Sequence, residues 1–154
     1  MGNDVKVARL LAPKVPLVLE VEGDNNQKLR LSLDLVWNMR AVITIESYLR
    51  AKYAQEINIL QTPGDFWKGM DCTKLALGVW ACSMQEQPQY ADEEGFETIA
   101  SFLTADNYVK AMDALRNAYL ESLSPKRREE LLKAVEEAKK KNQEKDPTSA
   151  QTPA

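Results

Sequence analysis

The sequence predicts an α+β protein that is mostly helical, with an N-terminal β-hairpin packed on a bundle of about five helices. Apolar and polar residues alternate over residues 15–33, which is the period of a strand with one buried face. Farther along, apolar residues recur every three or four positions, as they do on one side of a helix. A chain of 154 residues, 44% of them hydrophobic, has the length of one domain and can form a substantial core.

The hairpin is predicted with its apolar side chains on one face. These inward residues are Leu17, Leu19, Val21, Leu29, Leu31 and Leu33. Pairing Val21 with Leu29 leaves a loop over residues 23–27, and this register is favoured because it sets opposite charges across the two strands. In an alternative register, a shorter loop pairs Glu22 with Arg30. It keeps the same side chains on the inner face and remains an alternative. Two strands alone are not stable, so we expect the inward row to pack on a helix.

Residues 34–53 are predicted to form the central helix, about 30 Å long. Ser32 and Asp34 are both candidate N-caps, because a short side-chain oxygen can accept from a free N–H of the first turn. Two apolar stripes lie on different sides of this helix, the first formed by Leu35, Met39, Val42, Leu49 and Tyr53 and the second by Trp37, Ala41, Ile45 and Tyr48. A helix with two apolar sides is normally buried on both, so we expect a packed layer on each.

Further helices are predicted over residues 65–84, 92–103, 105–123 and 125–143. Their inward anchors share helical spacing: Phe66, Met70, Leu77, Trp80, Phe96, Ile99, Leu103, Tyr108, Val109, Met112, Leu115, Tyr119 and Leu123. Gly69 and Gly78 are unfavourable inside the first of these helices. Either the helix breaks near Gly69, with Asp71 capping a new one, or the glycines permit close contact between helices.

The chain divides into four predicted segments. They are an N-terminal arm (1–14), a globular domain (15–124), a charged C-terminal helix (125–143) and a disordered polar tail (144–154). The start is not expected to be a secretory signal, because its apolar part is short and carries Arg9 and Lys14. No apolar run approaches the roughly twenty residues of a membrane span, so we expect a cytoplasmic protein without a membrane partner.

Two cysteines, Cys72 and Cys82, are predicted to be reduced residues of the core. On one continuous helix their separation corresponds to about 15 Å of rise. A disulfide requires Cα atoms within about 7 Å of each other. Reduced, buried cysteines are usual in a cytosolic protein.

The composition disfavours an enzyme. The chain contains no histidine, which excludes Ser-His-Asp and Cys-His catalysis and imidazole metal ligands within it. None of the six glycines forms a phosphate-binding motif, so no cofactor is expected. Glu46 lies in the middle of an apolar helix face and is the one candidate catalytic carboxylate. No second acid, base or nucleophile is arranged with it, so we favour a carboxylate at the edge of the buried face that reaches water or pairs with Lys or Arg.

Charge is unevenly distributed. The whole chain carries −3, whereas residues 126–145 hold eight Lys or Arg and five Asp or Glu. The acidic total disfavours non-specific nucleic-acid binding, and acids within the last helix permit i,i+4 ion pairs. Aromatic residues at helical spacing are more often core, but two of them lie opposite the main buried face of the central helix and mark a partner site if the domain does not cover them. Partner binding is assigned to these two residues and to the last helix. These residues are Trp37, Tyr48, Lys126, Arg127, Arg128, Leu131, Leu132 and Val135.

The order of the segments resembles a known family. A hairpin ending in LRLSL leads into DLVWNMRAVITIESYLRAKY, followed by a linker with INIL and by FWKGMDCTKLALGVWACSM. DEEGFETIASFL and TADNYVKAMDALRNAYLESL then complete the pattern. Over residues 15–123 the chain resembles the tail assembly chaperones of long-tailed bacteriophages and the related proteins of gene transfer agents. Ile45-Glu46, Val79-Trp80-Ala81 and the helix of Asn107 carry the resemblance.

The resemblance implies a non-enzymatic protein of the host-cell cytoplasm. Such chaperones keep the tape-measure protein soluble and recruit tail tube subunits, and they are generally absent from the finished virion. Two alternatives stay open: a small regulatory nucleic-acid-binding protein that uses the basic last helix, and a structural connector or completion protein of the virion. Self-association also stays open.

Overall fold

The computed structural model describes residues 13–150, with side chains described up to residue 142. The fold is α+β and mostly α, as predicted. In the described part of the chain the strands are β1 (Val15–Glu22) and β2 (Lys28–Leu35). The helices are α1 (Met39–Tyr53), α2 (Gly64–Trp67), α3 (Cys72–Ser83), α4 (Glu93–Ser101), α5 (Tyr108–Ser122) and α6 (Pro125–Ala150). Short 3₁₀ turns lie at Asp24–Asn26 and Pro88–Tyr90.

The chain forms two compact units, and the second begins at Leu123. The first unit holds the hairpin and α1 to α5, and the second contains α6. Helix α6 extends to Ala150, beyond the predicted end at residue 143. Most of the predicted arm, residues 1–12, and the last four residues of the predicted tail, 151–154, lie outside the described residues.

The hairpin has the favoured register. Val21 pairs with Leu29, and the strands remain in register to Val15 opposite Leu35. The loop contains two residues in the left-handed region, Asn25 at φ 63° and Asn26 at φ 60°. Asparagine tolerates this conformation better than most residues, because its short polar side chain can bond locally. The shorter loop that the sequence left open is therefore not formed.

Helix α1 begins later than the sequence predicted. Strand β2 continues to Leu35, so Ser32 and Asp34 lie in the strand and neither is the N-cap. Asn38 is the N-cap, and its Oδ1 accepts from the Ala41 N–H at 3.0 Å. The alternation of apolar and polar residues in β2 continues through Leu35. Residues 34 and 35 fit both the strand pattern and the helix pattern, and in the structure they belong to the strand.

The central helix is α3, and the prediction that residues 34–53 occupy this place is wrong. Ten consecutive residues of α3, from Lys74 to Ser83, are buried. Helix α3 contacts β2, α1, α4 and α5. Helix α1 is buried mainly along one side, where residues of both predicted stripes meet, whereas Met39 and Tyr53 are exposed.

Two glycines mark close approaches of the chain. A Cβ on Gly78 would lie 2.6 Å from Cδ2 of Leu115, so Gly78 permits the contact of α3 with α5. A Cβ on Gly95 would overlap the carbonyl group of Tyr90. The chain also breaks before α3, where Asp71 accepts from the Lys74 N–H at 2.8 Å. Both sequence alternatives for this region are therefore realised.

Polar side chains from the helical region bond to both outer edges of the hairpin. Nδ2 of the buried Asn107 donates to the Glu20 carbonyl of β1 at 3.0 Å and to the Phe102 carbonyl at 2.9 Å. On β2, the Asp34 N–H donates to Oε1 of Gln87 at 3.1 Å. These bonds satisfy edge groups that a two-stranded ribbon otherwise leaves open.

Candidate functional site

Trp37 lies in the core, so the expectation that it stands opposite the buried face is wrong. Its side chain is 8% exposed and stacks on Trp67 at a centroid distance of 5.6 Å. It also meets Phe66 edge-on at 6.0 Å and Tyr119 at 5.1 Å. Because Trp37 precedes α1, its direction is set by the turn between β2 and α1 rather than by helical spacing. The domain therefore covers the first predicted partner residue.

Tyr48 is half-buried at the border of a second aromatic group. Its ring stacks on Phe96 at 5.4 Å and meets Trp80 edge-on at 5.6 Å. Nζ of Lys52 lies 5.9 Å from the centre of the ring. Desolvation, with a smaller contribution from Glu93, raises the pKa of Tyr48. The residue thus combines a packed ring with an accessible edge.

The carboxylate of Glu46 binds the backbone of the loop that follows α1. Its Oε2 accepts from the backbone N–H of Ile59 at 2.9 Å, and Ile59 is buried. This bond secures the link between α1 and α2 against α1. The predicted position at the edge of the buried face is confirmed, but the observed partner is a backbone amide and not a Lys or Arg.

An exposed apolar face on α1 was missed by the sequence analysis. We call it the α1 outer face and define it by Met39, Ile43 and Tyr53, which share one side of the helix with the half-buried Glu46 and the exposed Arg50. Ile43 is 56% exposed. Leu60, which follows the residue bonded to Glu46, is also exposed. The helical spacing of these residues was visible, but it had indicated burial for Met39 and Tyr53.

Helix α6 presents the predicted residues of the last helix. Leu132 and Val135 are 47% and 42% exposed, and Leu131 is half-buried. The basic residues at its start are exposed at Lys126 and Arg127 and half-buried at Arg128. Ser124, which lies just before α6, accepts from the Arg127 N–H through its Oγ at 3.3 Å. Val109 of α5, predicted inward, is 66% exposed.

Neither a metal cluster nor a membrane-spanning helix occurs among the described residues. Within residues 13–142, no three Cys, Asp or Glu side chains gather closely enough to hold a metal ion. In the part of the chain that the structure describes, no helix combines the length and hydrophobicity that a membrane crossing requires.

Comparisons of the chain with protein-family models, with curated proteins and with solved structures found no match. The function of the chain is therefore inferred from the residues and surfaces described above.

Proposed function

We propose that this protein is a non-enzymatic tail assembly chaperone of a long-tailed bacteriophage or gene transfer agent. In this function it keeps the tape-measure protein soluble and recruits tail tube subunits in the host-cell cytoplasm, and it does not remain in the mature virion. The resemblance over residues 15–123 supports this proposal. The proposed chaperone function does not require a catalytic centre.

The observation that carries the proposal is the presence of exposed apolar side chains on two helices. On α1 they form the outer face around Ile43, and on α6 they include Leu132 and Val135. Exposed apolar groups of this kind can bind the apolar side of a partner helix. Tyr48 remains part of the proposed surface through its exposed edge, whereas Trp37 does not.

Coexpression with the tape-measure protein of the same phage tests this function. We expect the chaperone to raise the soluble fraction of the tape-measure protein and to remain bound to it during purification. Replacing both Met39 and Ile43 by Ser should weaken the complex by about tenfold, because two apolar contacts are lost.

The matched control is Ser47→Ala with Ala51→Ser, an exchange between two exposed positions of the same helix that leaves its composition and the net charge unchanged. The control should bind as the native protein does, and all variants should retain the native melting temperature. A tape-measure protein that stays insoluble with the native chain contradicts the proposal.

A regulatory nucleic-acid-binding protein is the second candidate, favoured by the seven Lys and Arg residues of α6 between positions 126 and 141. This function requires an affinity that falls steeply with salt concentration. An absence of binding at low salt removes it.

A further inference from the structure

Helix α6 carries a narrow apolar stripe. Leu131, Val135, Ala138 and Asn142 follow one another at steps of four, three and four residues, which places them along one line of the helix. We call this line the α6 stripe. Its spacing is that of a helix that packs lengthwise against another helix, and Asn142 adds one polar position to it.

The charged residues of α6 up to residue 142 are unevenly distributed around the helix: basic residues lie beside the α6 stripe and acidic residues lie farther from it. At 100° per residue, Arg127 and Lys141 lie on one side of the stripe and Arg128 and Lys139 on the other, all within about 90° of its centre. Among residues 125–142, whose side chains the structure describes, the acids lie farther round, beyond about 100°: Glu129, Glu130, Glu136 and Glu137. The remaining bases of this described part, Lys126, Lys133 and Lys140, share the far side with the acids, and Lys133 pairs there with Glu129 at 3.7 Å.

We propose that the α6 stripe binds an acidic amphipathic helix of a partner protein, one whose apolar residues are bordered by Asp and Glu. The inference deepens the proposed function and rests on it in taking the partner to be a helical protein. Its basis is charge complementarity: over residues 125–142, basic residues border the apolar stripe on both sides, while the acids face away. Opposite charges that border an apolar seam specify the partner and its orientation.

Three other occupants fit the arrangement less well. A second copy of α6 would set basic borders against basic borders, and like charges at such positions repel. A membrane surface favours aromatic and large apolar residues on the buried face, whereas the stripe consists of Leu, Val, Ala and Asn. Binding of a nucleic acid requires Lys and Arg side chains that reach its phosphates, but it does not require an apolar stripe between those side chains.

Two synthetic peptides serve as probes for the full-length chain. Each has about 21 residues, enough for several helical turns. Both carry the same Leu and Ala stripe, and its borders are Glu in one peptide and Lys in the other. Fluorescence anisotropy measures the binding of each labelled peptide. We expect the Glu-bordered peptide to bind at least about tenfold more tightly than its Lys-bordered twin, with an affinity that falls as salt is added.

Two double variants locate the binding face. Lys139→Glu with Lys141→Glu reverses one charge on each border of the stripe, and Lys133→Glu with Lys140→Glu makes the same charge change on the far side. We expect the border variant to weaken binding of the acidic peptide by about tenfold and the far-side variant by less than about twofold. Circular dichroism checks that both variants keep the native helix content.

Equal losses in the two variants, or equal affinity for the two peptides, would overturn the inference. It is also overturned if vesicles of anionic lipid or a single-stranded oligonucleotide bind more tightly than the acidic peptide and the border variant abolishes that binding. Sedimentation that shows dimers of the native chain that are lost when Leu131 and Val135 are replaced by Ser would assign the stripe to a second copy instead.

The outcomes for the stripe and for the chaperone function are separable. A tape-measure protein that stays insoluble while the acidic peptide binds the stripe removes the chaperone function and retains the stripe as an acidic-helix site. A tape-measure protein that is held soluble equally by the native chain and the border variant, with no peptide bound, leaves the chaperone function and removes the stripe.

Discussion

Cys72 and Cys82 show how two identical residues of one helix meet different surroundings. Cys82 is fully buried, and this burial raises the pKa of its thiol above the usual range. Cys72 is the first residue of α3 and is exposed, so the prediction that it belongs to the core is wrong. A helical pattern around Cys72 was present, but the helix begins at that residue and its first turn lies outside the core.

The thiols should therefore differ in reactivity. Because the thiolate is the reacting form and needs access to the reagent, we expect one thiol of the native protein to react with an aromatic disulfide reagent and both to react after unfolding in denaturant. Cys72→Ser should abolish the native reaction, and Cys82→Ser should leave it unchanged. The measurement is the absorbance of the released thiolate, and a native reaction that persists in Cys72→Ser would contradict the assignment.

Two polar residues have structural roles that the sequence did not assign. Glu46 bonds the backbone of Ile59, and Asn107 bonds the carbonyl groups of Glu20 and Phe102. The bond of Glu46 joins α1 to the link that follows it, and the bond of Asn107 to Glu20 joins the helices to β1, 87 residues away in the chain. A sequence shows that a polar residue interrupts an apolar face, but the backbone group that it meets depends on the fold.

Gly95 is placed inside α4, where glycine is normally unfavourable. The 3₁₀ turn at Pro88–Tyr90 passes against the start of this helix, and the Tyr90 carbonyl also accepts from Nε1 of Trp80 at 2.6 Å. Only a residue without Cβ fits between the turn and the helix. The glycine therefore reflects packing between elements and not a helix end.

We expect Gly95→Ala to lower the free energy of unfolding by about 1–3 kcal/mol, because the added methyl group must displace backbone atoms. Gly64→Ala is the matched control, since a Cβ there would meet only the flexible side chain of Lys68 at 3.4 Å. Urea denaturation followed by circular dichroism measures both variants. Equal stability of Gly95→Ala and the native protein would show that α4 and the turn are not held this closely.

At the scale of the molecule, aromatic residues join elements that are far apart in the sequence. Trp37, Phe66, Trp67 and Tyr119 form one group that links the start of α1 with α2 and α5. Tyr48, Trp80 and Phe96 form another that links α1, α3 and α4. Aromatic pairs of this geometry add to the stability that their buried area provides.

We therefore expect Trp37→Ala mainly to destabilise the fold and not to remove a direct contact with a partner. We expect it to lower the free energy of unfolding by about 3–5 kcal/mol, as large-to-small substitutions of buried aromatic residues do. Tyr53→Ala on the α1 outer face is the comparison, and a change within about 0.5 kcal/mol is expected there. Thermal unfolding measures both. If the Trp37→Ala protein has native stability but fails to bind the tape-measure protein, Trp37 belongs to the partner-binding surface and the core assignment is wrong.

The sequence by itself determined much of the local structure of this protein. Alternation defined the hairpin and its Val21–Leu29 register, and Asp71, the cap in one of the two alternatives for its region, is the N-cap of α3. The charge pattern of α6 and the fold class could also be predicted. These features depend on backbone periods and on side chains that bond within a few residues, so neighbouring positions are sufficient to specify them.

Only the tertiary structure decided which apolar surfaces are covered. It placed α3 rather than α1 at the centre, covered Trp37, and left Met39, Ile43 and Val109 exposed. Helical spacing identifies the side of a helix that can be buried, but burial requires a second element to lie against that side. Because the packing partner comes from elsewhere in the chain, the candidate surface on α1 could not be predicted from its own sequence.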